Sequence, residues 1–210
     1  MGGRISIMIL KIKFFLALLA FFPVAAFAAL APDELVRKTA DDVIATIKSD
    51  KDIQAGNKSK IYKLAEEKIL PNFDFEKISR LVIGKHWRSA SSEHKSQFKE
   101  EFKNLLLRTY AVALGKYQDQ KIEYLPMRMK PDDEIVTVKT EIIQSGAQPV
   151  KVDYVLTKGG PDGWMVIDII IEGVSLVTNY RSQFASEIKS NGMDGLIKAL
   201  SDKNKSDNES

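Results

Sequence analysis

The chain contains no cysteine and only two histidines, His86 and His94. The first absence excludes a disulfide framework, a metal–thiolate site, a thiol nucleophile and the lipid-modified cysteine of a bacterial lipoprotein. The second leaves no HxxxH or H-x-E pattern, so no metal site is expected. A G-x-S-x-G motif is missing too, and no spacing joins Ser175 to either histidine, which argues against nucleophilic hydrolysis. Gly159-Gly160 is followed by no helix and reads as a hairpin turn rather than a phosphate cradle. An excess of positive charge is also lacking once a leader is set aside. The whole chain has 31 Lys+Arg against 28 Asp+Glu. Three of the basic residues, Arg4, Lys11 and Lys13, fall within 1–28, leaving 28 against 28 beyond it. The sequence pI of about 8.9 therefore overstates the basicity, and nucleic-acid binding is not supported.

What is present begins with that leader. Its basic residues precede an apolar run at 12–22, and Ala26-Phe27-Ala28 is a small-x-small cleavage site. The run is shorter than the roughly 20 residues a membrane span requires, so 1–28 reads as a signal peptide cleaved after Ala28. An exported, cysteine-free chain of this size suits the periplasm of a Gram-negative bacterium. One domain with one core is expected over 29–200. Residues 201–210 (SDKNKSDNES) hold no apolar side chain and read as a disordered tail.

Apolar spacing predicts helices over 32–50, 58–70, 75–83 (capped by Asp74) and from Ser91 or Ser92 to 117. The last carries the widest apolar stripe, through Phe98, Phe102, Leu105, Leu106, Thr109, Tyr110 and Val112. The period then switches to two. Strands are predicted over 121–127, 134–144, 148–158 and from Trp164 to Ile171. Their connections are too short for parallel crossovers, which makes an antiparallel meander of four strands. Helices follow over 180–190 and 194–200. Helices, then strands, then helices define an α+β chain.

The strand from Trp164 is apolar on both faces, with Met165, Ile167, Ile169 and Ile171 on one and Trp164, Val166, Asp168 and Ile170 on the other. Such a strand must be covered on both sides. Asp168 reads either as a carboxylate satisfied by a nearby hydroxyl, amide or Arg, or as a general base in an isomerase-like cone. Val174 to Val177 continues extended, with Thr178 or Asn179 capping the helix that carries Tyr180, Arg181 and Phe184. The surplus apolar surface of the long helix and last strand fits an apolar cavity with a polar rim, and equally a filled core.

Several stretches resemble one family: Asn72-Phe73-Asp74-Phe75-Glu76-Lys77-Ile78-Ser79-Arg80, Gly84-Lys85-His86-Trp87-Arg88, Phe98-Lys99-Glu100-Glu101-Phe102 and Thr109-Tyr110. The longest block is Trp164-x-Val166-x-Asp168-x-x-x-Glu172-Gly173-Val174-Ser175-Leu176 followed by Asn179-Tyr180-Arg181-x-x-Phe184. Over 32–200 the chain is similar to the MlaC family, the toluene-tolerance or maintenance-of-lipid-asymmetry periplasmic proteins. The resemblance implies a four-stranded, curved antiparallel sheet wrapped by helices, of the cystatin-like or NTF2-like class. It implies a phospholipid carrier that needs no cofactor and catalyses no reaction. Its implied partners are an inner-membrane ABC transporter complex and an outer-membrane lipoprotein–porin complex.

On that resemblance, Phe98, Phe102, Leu105, Leu106, Thr109 and Tyr110 are expected on a helical wall of the lipid pocket. Val138, Val152, Tyr154, Val166 and Ile170 are expected on a sheet wall, with Tyr180 and Arg181 near the mouth. Arg181 has two candidate partners, the lipid phosphate or the carboxylates of Asp168 and Glu172. The alternative from another class is a small isomerase-like enzyme with Asp168 as base.

Overall fold

The computed structural model describes residues 30–206; the expected signal peptide 1–28 lies outside them. The first helix, α1 (Pro32–Ser49), opens with Pro32, which needs no N–H there, and with Asp33 and Glu34 at its positive pole. A single turn, α2 (Lys51–Gln54), is capped by Asp50, and α3 (Lys58–Leu64) by Asn57. The helix expected to run on to residue 70 widens into a π turn over Ala65–Ile69 and closes in a 3-10 turn over Leu70–Asn72. Pro71, which lacks an N–H, prevents the α pattern from continuing. Asp74 caps α4 (Phe75–Ile83) by accepting the Lys77 N–H. After the short α5 (His86–Ser89), Ser91 caps the long α6 (Ser92–Ala111), which ends six residues before the expected 117.

The sheet has five strands rather than four: β1 (Lys121–Tyr124), β2 (Ile135–Ile143), β3 (Val150–Lys158), β4 (Trp164–Ile171) and β5 (Val174–Ser175). They lie in sequence order and pair antiparallel throughout. The additional strand is two residues long and returns through a turn at Glu172 (φ 48°) and Gly173 (φ 80°). Positive φ is routine for glycine and costly for glutamate. Glu172 is held there by both ends, its N–H donating to the Lys151 carbonyl at 3.0 Å and its carboxylate accepting the Lys151 N–H.

A bulge in β4 changes which side chains share a face. Leu156 pairs with Val166, whereas the preceding Val155 pairs with Asp168, so Ile167 is the extra residue. Cross-strand partners lie on one face. Val136, Val138, Tyr154, Leu156, Trp164, Val166 and Ile169 therefore share a face, and Val155, Thr157, Asp168 and Ile170 share the other. The strict alternation expected for β4 holds as far as Ile167 and inverts from Asp168 onward.

The last helix, α7 (Leu176–Ser206), begins earlier than a cap at Thr178 or Asn179 would place it and takes the expected extended residues Leu176 and Val177 into its first turn. It bends at Gly192 (φ 72°, ψ −175°), a left-handed conformation that glycine alone adopts freely, so the two expected helices abut without a loop. It also continues to Ser206, through most of the stretch expected to be disordered. Asn204, only 5% exposed, donates its amide to the Glu101 carbonyl at 2.9 Å and the Glu101 carboxylate at 2.7 Å. A polar anchor onto α6 thus holds a segment that has no apolar residue.

The core divides into three clusters. One joins α4, α6, α7 and Ile167 through residues that include Phe98, Phe102, Leu105, Tyr180 and Phe184. A second joins α1, α2, α3 and the end of α6 around Ile47, Ile61, Leu64 and Leu107. The third sets Leu35 and Val36 of α1 against Val136, Val138, Leu156, Trp164 and Val166 of the sheet.

Candidate lipid-binding site

The expected helical wall sits in the first cluster. Phe98, Phe102 and Leu105 are buried there, with Leu106 half-buried against them. The rings interlock, Phe98 stacking on Phe102 at 5.5 Å while Phe184 stands edge-on to both at 5.7 and 5.4 Å. Tyr180, expected near a mouth, is buried and edge-on to Phe102 at 5.1 Å. Burial, and then the neighbouring Tyr110 hydroxyl, push the Tyr180 hydroxyl well above the ordinary tyrosine range, while a hydrogen bond with Thr109 works the other way. Thr109 and Tyr110 are exposed, so this polar group marks where the cluster reaches solvent.

The expected sheet wall splits. Val138 and Val166 are buried in the third cluster. Val152 is buried on the same face, and Tyr154 packs against the cluster from the side. Ile170 lies on the opposite face because of the bulge, and its place is taken by Ile169, the partner of Tyr154. Sequence alternation hides Ile169 from this wall. It also omits Phe73, Tyr124 and Met127, which pack against the same cluster. Phe73 touches the helical cluster as well. Its position is fixed by a bridge to Val166 and by the Asp74 N–H, which donates to the Val166 carbonyl at 3.0 Å.

Tyr154 is the polar side chain of this wall. It sits so deep that desolvation pushes its hydroxyl up to about 12, yet it keeps solvent-accessible surface and is only half-buried. Tyr124, across β2 on the same face, has a buried hydroxyl with no hydrogen-bond partner. The Arg37 guanidinium lies 3.9 Å over its ring centroid. Buried polar atoms are nearly always paired, so the orphaned Tyr124 hydroxyl marks a place for a ligand atom or water.

Asp168 does not have the geometry of a free base. One oxygen takes the Ser175 hydroxyl at 2.5 Å and the other accepts the Val177 N–H at 3.0 Å. The Ser175 oxygen in turn accepts the Thr178 N–H at 3.0 Å. The carboxylate is thereby committed to starting α7, which explains the early onset of that helix. Arg181 reaches neither Asp168 nor Glu172 in a salt bridge; its Nε donates to the Leu81 carbonyl at 2.7 Å. Among the described residues no group of three or more His, Asp or Glu could hold a metal ion, and no helix is long and apolar enough to cross a membrane.

Known proteins carry related sequences over most of this length. Toluene tolerance protein ttg2D of Pseudomonas putida is 29% identical over 180 residues, which span 85% of this chain and 83% of that protein. The intermembrane phospholipid transport system binding protein MlaC of Haemophilus influenzae is 26% identical over 174 residues, 82% of this chain and 81% of that one. A solved structure of the phospholipid-binding protein from Ralstonia solanacearum, in complex with a phospholipid, superposes with a TM-score of 0.79 at 38% identity. The superposition covers 85% of this chain and 99% of that one. These relatives are named for phospholipid binding, lipid transport and toluene tolerance rather than for catalysis. The model of the MlaC protein family matches residues 37–202, and the chain belongs to the MlaC family.

Proposed function

We propose that this protein is a periplasmic phospholipid carrier. It would receive and deliver lipid between an inner-membrane ABC transporter complex and an outer-membrane lipoprotein–porin complex, and so maintain outer-membrane asymmetry. The observation that carries the reading is the apolar sheet face shared by Val138, Tyr154, Val166 and Ile169, beside which the buried Tyr124 hydroxyl has no hydrogen-bond partner. The acyl tails would lie against that face, near Phe73. The relative solved in complex with a phospholipid supports the carrier reading, without bearing on which residues hold the tails.

The energetics explain why such a protein must enclose its cargo. At about 0.8 kcal/mol per buried methylene, roughly 30 methylenes in two tails would cost on the order of 20 kcal/mol to leave in water. Spontaneous release is negligible, so transfer takes place while the carrier is docked. Most of the affinity comes from the tails, which predicts little headgroup selectivity.

The test is organic extraction and mass spectrometry of residues 29–210 purified without detergent. Near-stoichiometric phospholipid is expected. A folded, lipid-free protein that takes up no phospholipid from vesicles would overturn the carrier reading.

A further inference from the structure

Between Glu76 and Glu93 the chain holds Lys77, Arg80, Lys85 and Arg88 and no carboxylate. This is a local excess of positive charge in a chain whose portion beyond the leader balances. Lys77 is engaged, its Nζ donating to Thr157 Oγ1 at 2.7 Å. Arg80, Lys85 and Arg88 stay exposed and, among the described residues, make no ion pair or side-chain hydrogen bond. With Gly84 and Trp87 they wall a hollow of about 450 Å³. A second hollow of about 430 Å³ adjoins it through Lys85 and extends to His86 and to Ala185, Ser186 and Lys189 of α7. No acidic residue lines either one. Trp87 is anchored on the helical core, with Lys95 Nζ 5.5 Å from its ring centroid.

A structural role accounts for only part of this charge. The C-terminal end of α4 carries a partial negative charge of about half a unit, enough to favour one cation. One of its carbonyls, that of Leu81, is already bonded to Arg181. Unpaired like charges crowded around one hollow repel each other and lower stability, which a binding role offsets.

We propose that this groove between the α4–α5 turn and α7 is a docking site for an acidic face of a protein partner. A membrane surface fits it less well. Peripheral membrane binding combines basic residues with protruding apolar ones, whereas the large exposed apolar side chains here, such as Leu125, Met129 and Ile135, lie outside the groove. A concave basic wall with a fixed indole suits acidic side chains projecting from a partner, with complementary charge speeding encounter and fixing orientation. The proposal rests on the carrier reading, since a carrier that unloads only when docked needs a surface that engages quickly and releases.

The test uses the full mature chain and envelope membranes from cells lacking its gene, with binding measured by sedimentation at low and high salt. Lys85→Glu/Arg88→Glu should weaken binding at least about tenfold, and Lys189→Glu, on the opposite wall, should weaken it independently. Binding should also fall with salt and disappear when the membranes are first treated with trypsin. Unchanged binding by the double variant, or no wild-type binding at all, overturns the docking site. So does equal binding to protein-free phosphatidylglycerol vesicles, which would make the ligand the anionic lipid surface. The lipid content of the wild-type chain reports separately on the carrier reading. Lipid-free protein that still binds through the groove would remove the cargo and leave the docking site standing.

Discussion

The Asp168 carboxylate accepts the Val177 main-chain N–H at 3.0 Å, across the turn that joins β4 to α7. With the Ser175 hydroxyl on its other oxygen, it ties the last strand to the first turn of the last helix. Both groups are partly buried, so removing the carboxylate leaves donors with little access to water. Asp168→Ala should cost about 1–3 kcal/mol, the range for losing a helix cap together with a buried acceptor. Asp168→Asn, which keeps one carbonyl acceptor, should cost less. Denaturant titration checks both, with the midpoint falling and the m-value unchanged. Phospholipid content should survive in whatever fraction remains folded. An Asp168 variant that is fully stable would contradict its role in starting α7.

The bulge at Ile167 predicts opposite outcomes for adjacent residues. Ile169 shares a face with Tyr154 and Val138, whereas Ile170 pairs with Asp153 on the other side. Placing a carboxylate against acyl chains without a partner is costly. Ile169→Glu should therefore lose bound phospholipid, while Ile170→Glu should retain it. Mass spectrometry of the two purified proteins, with circular dichroism to confirm folding, makes the comparison. The reverse pattern would restore strict alternation and remove the bulge from the account of the pocket.

That inversion shows what the sequence could and could not reveal. β2 and β3 were readable because one face meets water. Lys139, Glu141, Lys151 and Asp153 alternate with Val138, Thr140, Val152 and Tyr154, so the contrast sets the register. β4 offers no such contrast. Seven of the eight side chains from Trp164 to Ile171 are apolar, and an inserted residue leaves no mark on a strand buried on both sides. Periodicity likewise recognises that Phe98 and Val138 are buried. It does not say that Phe98 packs with α7 while Val138 packs with α1. The start of α7 was hidden for a different reason: its cap depends on Asp168, seven residues before Ser175, brought near only by the hairpin.

The helical tail yields a third expectation. Its hold on α6 is polar, the Asn204 amide bonding the Glu101 carbonyl and carboxylate. Asn204→Ala should destabilise the protein by about 1–2 kcal/mol, since the Glu101 groups lose a partner in a partly buried setting. Hydrogen exchange should show the 201–206 amides opening first, with α6 much less affected. Unaltered protection at 201–206 would show that the tail is held by something other than Asn204.

Tyr154 predicts how the lipid-free protein responds to alkali. Burial raises its hydroxyl from the ordinary tyrosine value of 10 to about 12. For an acid that is neutral when protonated, a raised folded-state pKa means that the native state keeps its proton after the unfolded chain has lost it. The stability linked to this group is therefore complete below pH 10 and is lost as pH rises from 10 towards 12. At 1.36 kcal/mol per unit the loss amounts to roughly 2–3 kcal/mol. Tyr180, raised in the same direction by burial, adds a loss of the same sign. Thermal melts of delipidated protein between pH 9 and 11 should show the midpoint falling with pH. Tyr154→Phe should flatten the slope without changing the plateau near neutrality by more than about 1 kcal/mol, because the hydroxyl removed makes no hydrogen bond to the described residues. Phospholipid alters the same quantity. Acyl chains packed against the ring would exclude hydroxide and the water that solvates a phenolate, so the loaded protein should begin its decline at higher pH than the empty one. An identical alkaline decline for loaded and empty protein would place the tails away from Tyr154.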